Sequence, residues 1–122
     1  MAAGSTISKT RAQATRLTLL ASAAQTSSGN GSAISVGPFR EAMLTLNCTA
    51  ASGTTPTLSV SIQVSDDGGT TWYTLPGTTF TQLATTGSQV GWMQGFGDTI
   101  RVSYTIGGTS PSFTFAVKAV LK

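Results

Sequence analysis

The chain has 122 residues, no histidine, and seven Lys and Arg residues against four Asp and Glu residues, giving a net charge of +3. This length predicts one domain that folds without a disulfide or a metal. The missing histidine excludes the commonest general base and every nucleophile–histidine pair, and we expect no enzyme and no cofactor. Only 9% of the residues are charged, against about 25% in an ordinary soluble domain. Either Ser and Thr simply cover exposed strands, or much of the surface contacts other protein.

The amino-terminal residues 1–13 show neither a helical nor a strand period, and we predict an extended basic arm before a single domain over 14–122. Lys9, Arg11 and Arg16 stand in a stretch without any acid. Three basic residues without interleaved aromatic residues are a weak signal for nucleic-acid binding, and we expect the protein to bind no nucleic acid. The basic arm is expected either to be solvated or to dock on an acidic protein surface, and these three residues are the predicted docking contacts.

Strand-like alternation of apolar and polar residues begins near Thr15, with Leu17 and Leu19 on one face. The apolar run there is shorter than the roughly 7 to 15 residues of a secretory signal, and no run reaches the roughly 18 residues that span a bilayer. We therefore expect no membrane segment. We next predict a Gly- and Ser-rich turn over 25–32. It is followed by a short strand over 33–36, which ends at Gly37-Pro38.

A strand–loop–strand pattern then occurs twice in the sequence. In 41–65, alternating apolar residues flank the loop Ala-Ser-Gly-Thr-Thr-Pro, and in 99–119 they flank the loop Ile-Gly-Gly-Thr-Ser-Pro. Loops of this length and composition are typical of hairpins, so we predict two hairpins. Cys48 is the only cysteine of the chain and is expected to pack as a small apolar side chain.

Between the two repeats, Ser65-Asp66-Asp67-Gly68-Gly69-Thr70-Thr71-Trp72 is similar to the Asp box of sialidase propellers and other β proteins. The resemblance implies a hairpin turn braced by Ser and Asp, with Trp packed beneath it and no catalytic role. The adjacent carboxylates of Asp66 and Asp67 are therefore assigned to turn chemistry and not to an acid pair or a calcium site. We predict no catalytic and no metal-binding residue.

Shorter strands are expected over 80–83 and 89–93, and the fold class is an all-β antiparallel β-sandwich or jelly roll of about eight strands. Trp92 stands close to Gly95 and Gly97 and does not fit the core pattern. We expect an edge or interface position for Trp92, with Phe96 beside it, or a platform for a ligand. The alternation predicts the following core: Leu17, Leu19, Leu44, Leu46, Leu58, Val60, Ile62, Trp72, Ile100, Val102, Tyr104, Phe113, Phe115 and Val117.

From Phe39 onward the chain resembles small virion proteins of tailed bacteriophages. The resemblance rests on Thr-Ala-Ala-Ser-Gly-Thr-Thr-Pro-Thr-Leu over 49–58, on the Asp-box segment, and on Ile-Gly-Gly-Thr-Ser-Pro-Ser-Phe-Thr-Phe over 106–115. It implies a non-enzymatic capsid decoration, or cement, protein on the virion surface. We expect this protein to bind the major capsid protein and to form a homotrimer. The alternatives are a head-tail connector or tail component, and a carbohydrate-binding or adhesin module that uses Trp92.

Overall fold

The computed structural model of the protein describes residues 14–122, and the predicted arm over 1–13 lies outside the described residues. The described part is an antiparallel all-β structure, which confirms the predicted fold class. No helix in this part is long and apolar enough to cross a membrane. The strands are, in chain order, β1 (Thr15–Gln25), β2 (Gly29–Asn30), β3 (Ile34–Ser35), β4 (Glu41–Ser65), β5 (Tyr73–Thr74), β6 (Gly87–Gln94) and β7 (Thr99–Leu121).

Two long strands, β4 and β7, form the frame of the fold. They pair antiparallel from one end to the other, and the last residue of β4, Ser65, lies opposite the first residue of β7, Thr99. Each strand bends in its middle and folds back on itself. Within β7, the rings of Tyr104 and Phe115 meet edge to face with 5.3 Å between their centroids. Both long strands therefore contribute to two layers that face each other across one core, as in a β-sandwich.

The remaining strands extend these two layers. In the first layer, β1 pairs with the end of β7 and β6 pairs with the start of β4, so that β1 and β6 form the edges. In the second layer, β2 and β3 pair with the start of β7, and β5 pairs with the end of β4. The first layer presents the face on which the candidate site lies.

The Gly-Thr-Thr-Pro and Gly-Thr-Ser-Pro segments are bends within the continuous strands β4 and β7, and the prediction of two hairpin loops was wrong. Gly53 and Gly108 have φ angles of 115° and 110°, which L side chains rarely adopt. A Cβ on Gly53 would lie 2.8 Å from the Cα of Pro111, and one on Gly108 would lie 2.9 Å from the Cα of Pro56. Each bend thus packs against the other through its glycine. The motif occurs twice because two paired strands must bend at the same level.

The core was largely predictable from alternation. Every predicted core residue is buried except Leu17 and Trp72, which are partly exposed. Cys48 is buried in the same cluster, as expected for a small apolar side chain. Its Sγ lies 3.4 Å from the carbonyl oxygen of Ala50, and burial raises the pKa of the thiol. An apolar inward face on both long strands therefore fixes the two-layer packing.

Irregular segments also contribute to the core, and alternation did not predict them. Val36 and Phe80 are buried although neither lies in a strand. The predicted strand over 80–83 does not form a continuous ladder: the N–H of Phe80 donates to the carbonyl oxygen of Val60, and Leu83 makes an isolated bridge to Leu58. Residues 14–122 accordingly form seven strands, against the prediction of about eight.

Candidate interaction surface

The turn after β4 is braced as the Asp-box resemblance implies. The hydroxyl of Ser65 donates to Oδ1 of Asp67 at 2.8 Å and accepts from the N–H of Gly69 at 2.8 Å. Ser65 is itself 1% exposed, so these bonds satisfy a buried polar group. The turn leads into β5, which pairs back onto β4, and the predicted hairpin at this position is confirmed.

Asp67 uses its carboxylate to hold the same turn. Its Oδ1 accepts from the N–H of Thr70 at 3.0 Å and of Thr71 at 2.9 Å. Hydrogen bonding, first from the Thr71 backbone and then from the Ser65 hydroxyl, lowers the pKa of Asp67 to about 2. A carboxylate with so low a pKa is a poor proton acceptor near neutral pH, which agrees with a structural role.

Trp72 lies on the outer face of the second layer and not in the core, so its predicted core position was wrong. Its Nε1 donates to the carbonyl oxygen of Gly69 at 3.0 Å. The guanidinium of Arg101 lies over the indole, 4.3 Å from the ring centroid, and its Nε donates to Oε1 of Gln63 at 2.7 Å. The chain itself thus provides partners for both the edge and the face of this indole.

Trp92 and Arg16 occupy the two ends of one row of side chains across the first layer. Arg16 lies opposite Val120, which lies opposite Met43. Met43 lies opposite Trp92. Directly paired residues project from the same side of a sheet, and this side faces away from the core. Three inter-strand spacings, or about 14 Å, separate the ends of the row.

A second outward row runs parallel to the first, two residues away along each strand. It contains Thr18, Lys118, Thr45 and Val90. We call the eight residues of the two rows the Trp92 face. Trp92 is 62% exposed and Val90 is 64% exposed, which is unusual for large apolar side chains on adjacent positions of one sheet face.

The charge of the Trp92 face is positive. Arg16 and Lys118 belong to it, whereas none of the four acidic residues of the sequence lies in either row. Glu41 lies opposite Gln94 in the next outward row, two residues from Met43, and its Oε1 is 4.0 Å from Nζ of Lys122. Two positive charges are therefore left without an acidic partner on this face.

A groove of about 430 Å³ adjoins the second row and crosses the middle of the first layer. Ala116 lies there on a central strand, and its short side chain leaves space between the longer side chains beside it. Lys118 is the charged residue of the lining. The groove is lined by Thr18, Ala21, Ser22, Thr45, Asn47, Thr49, Ala116 and Lys118.

Of the residues that the sequence proposed for contacts, the structure brings Arg16 and Trp92 onto one face. Arg16 lies in β1 and is exposed, while Lys9 and Arg11 lie outside the described residues. Phe96 is 9% exposed and belongs to the core, so its predicted place in an interface beside Trp92 was wrong. Phe96 follows Gly95, whose φ of 68° turns the chain after the end of β6.

The apolar partners of Trp92 were missed by sequence reasoning. Met43 and Val120 stand between buried residues in apolar runs, and such runs do not reveal which members point outward. The position of Val90 could have been inferred from the sequence. It stands two residues before Trp92, and residues two apart in a strand point to the same side of the sheet. Within residues 14–122, no group of three or more His, Cys, Asp or Glu side chains is arranged to hold a metal ion.

Comparisons with known proteins leave the chain without a family. No protein-family model and no curated protein sequence matches it. The crystal structure of the SPBc2 prophage-derived protein YomS is similar, with 17% identity over 88% of this chain and 93% of that chain and a TM-score of 0.46. A structure described as Bacillus endospore appendages that form disulfide-linked pili is 16% identical over 90% of this chain and 89% of that chain, with a TM-score of 0.47. At this level of identity neither similarity identifies a function.

Proposed function

We propose that this chain is a non-enzymatic structural protein of a tailed-phage virion, and more narrowly a decoration protein that binds the major capsid protein on the outer capsid surface. The observation that carries the proposal is the Trp92 face. A braced two-layer sandwich presents large apolar side chains on one open sheet face, which is the form of a protein-binding surface. The repeated bend motif adds support, because it is one of the sequence segments on which the resemblance to such virion proteins rests.

The proposed mechanism is stabilisation of the shell by mass action. A decoration that binds the assembled lattice and not its separated subunits lowers the free energy of the assembled state. The Trp92 face supplies a rigid contact, and the basic arm with Lys9 and Arg11 reaches a neighbouring capsid subunit. The expected homotrimer is part of the same proposal, and native mass spectrometry of the purified protein checks it.

Copy number in the virion tests the proposed position. Quantitative mass spectrometry of purified particles measures this chain relative to the major capsid protein. A decoration protein occupies the lattice and is expected at hundreds of copies, whereas a head-tail connector or tail ring is expected at about six or twelve. Absence of the chain from purified particles would contradict a virion role altogether.

Deletion of residues 1–13 tests the arm. This deletion ends before β1 begins at Thr15, so every pairing of β1 with β7 is kept. We expect lower occupancy on capsids at equal protein concentration, with a weaker dependence of binding on salt, because Lys9 and Arg11 are lost. Unchanged occupancy and unchanged salt dependence would remove the arm from the mechanism while leaving the decoration role in place.

A further inference from the structure

The Trp92 face combines an apolar row with uncompensated positive charge. Met43 and Val120 fill the space between Trp92 at one edge of the layer and Arg16 at the other. Lys118 adds a second positive charge in the adjacent row. The exposed indole and the aliphatic side chains beside it leave apolar surface in contact with water. A partner that covers this surface gains the free energy of its burial.

We propose that the Trp92 face is the surface by which this protein docks on another protein, at a site that offers an apolar pocket for Trp92 and acidic groups opposite Arg16 and Lys118. The inference rests on the proposed function and names the contact that holds the decoration on the shell. Tryptophan is enriched among the few residues that carry most of the binding free energy of interfaces. The two positive charges select and steer an acidic partner.

A second copy of this chain fits the face less well. Pairing of two Trp92 faces would place four positive charges, from Arg16 and Lys118 of both copies, in one interface with no acid of either row to neutralise them. Like charges at an interface are unfavourable and suppress such pairing. The contacts of the proposed trimer therefore lie on other surfaces of the sandwich.

A carbohydrate also fits the face less well. Binding sites for small polar ligands place hydrogen-bonding groups beside the apolar platform. On its own side of the sheet, Trp92 has Met43 opposite it and Val90 and Gln94 two residues away, so that two of its three nearest neighbours are apolar. Glu41, the partner of Gln94, has its Oε1 4.0 Å from Nζ of Lys122. On the other side, beyond Val90, Ser88 already donates to Oδ1 of Asn47 at 2.9 Å.

Docking through this face also fixes the orientation of the protein. The first layer lies against the partner, and the second layer, with the braced turn at Ser65 and Trp72, faces outward. The groove beside the second row then lies within or next to the contact, where its Lys118 reaches the same acidic surface.

The experiment measures binding of the full-length protein to capsids of the encoding phage assembled without it. Two variants remove the proposed contacts, Trp92→Ser and Lys118→Glu. The matched control is Tyr73→Ser, which removes an aromatic side chain that is 56% exposed on the second layer. Thermal unfolding of each variant shows that it folds as the wild type does. We expect each face variant to weaken binding about tenfold or more, and the control to change it less than about twofold.

The outcomes separate the inference from the proposed function. If the wild type binds capsids and both face variants bind as well as the control, the docking face is wrong and the decoration role stands. If the wild type does not bind, the decoration role fails and the inference fails with it. Sedimentation velocity and a glycan array complete the test, since self-association or glycan binding of the wild type that Trp92→Ser abolishes would assign the face to a second copy or to a carbohydrate.

Discussion

The outer faces of the two layers each present one tryptophan, and the two indoles differ in how far the rest of the chain covers them. Trp72 on the second layer has its Nε1 bound to Gly69 and its ring covered by Arg101. Trp92 on the first layer is 62% exposed and lies among apolar neighbours. The difference shows that the second layer provides partners for its own tryptophan. The first layer leaves its largest apolar side chain to be covered by something else.

The largest expected effect comes from the bends that hold the two faces on opposite sides of one core. Gly108→Ala places a Cβ 2.7 Å from the carbonyl oxygen of Thr55, at a φ of 110°. We expect the free energy of unfolding in urea to fall by about 3 kcal/mol or more, since both the clash and the backbone conformation are unfavourable. Loss of the bend would let the layers separate, and both tryptophans would lose their environments.

Gly77→Ala is the matched control for the bend. Gly77 has a φ of 80°, and a Cβ built on it meets no atom within 4 Å. Its expected cost is therefore that of the backbone conformation alone, about 1–2 kcal/mol. Equal costs for the two substitutions would show that the close approach of the two bends does not contribute to stability.

The second prediction compares the two tryptophans directly. Trp72→Ala removes a half-buried ring and the hydrogen bond to Gly69, and we expect the free energy of unfolding to fall by about 2 kcal/mol. Trp92→Ala removes an exposed ring and is expected to change that free energy by less than about 0.5 kcal/mol. Chemical denaturation of both variants measures the difference.

Fluorescence gives an independent reading of the same contrast. In Trp72→Phe the remaining Trp92 emits alone, and in Trp92→Phe the remaining Trp72 does. We expect acrylamide to quench Trp92 more strongly than Trp72, because the face of the Trp72 ring is covered by Arg101. Equal quenching would contradict the covered position of Trp72.

Alternation predicted the inward faces of β4 and β7 because a sheet with one buried face imposes a period of two. It could not show that the Gly-Thr-Thr-Pro and Gly-Thr-Ser-Pro segments are bends. A Gly-Pro loop between alternating strands has the same local composition in a hairpin and in a bent strand. What distinguishes them is the packing of Gly53 against Pro111 and of Gly108 against Pro56, and these contacts join residues far apart in the sequence.

The candidate face was predictable only in part, for a similar reason. The isolated position of Trp92 among glycines indicated an exposed aromatic residue, and the basic residues marked the amino-terminal side. The register that sets Arg16 in one row with Trp92 depends on the pairing of β1, β7, β4 and β6, which no local pattern encodes. Phe96 was misplaced because the direction of a side chain after a turn depends on the turn.

The third prediction concerns the pH dependence of the braced turn beneath Trp72. The pKa of Asp67 in the folded state is about 2, below the ordinary value of 3.8. A lowered folded-state pKa gives stability that is fully present above the ordinary value and is lost as the pH falls through the folded-state value. Wild type should therefore exceed Asp67→Asn in unfolding free energy near neutral pH, and the gap should close as the pH falls from 3.8 towards 2. A gap that does not depend on pH would mean that the charge of Asp67 is not what braces the turn.

The smallest expected effect comes from the cation over the Trp72 ring. Arg101→Lys keeps the charge but loses the planar group stacked on the indole and the Nε bond to Gln63. We expect the free energy of unfolding to fall by about 0.5–1 kcal/mol. The same substitution in a Trp72→Ala background should cost less, because only the bond to Gln63 remains to be lost. An equal cost in both backgrounds would show that Arg101 does not stabilise Trp72, and the contrast with the uncovered Trp92 would then rest on the hydrogen bond to Gly69 alone.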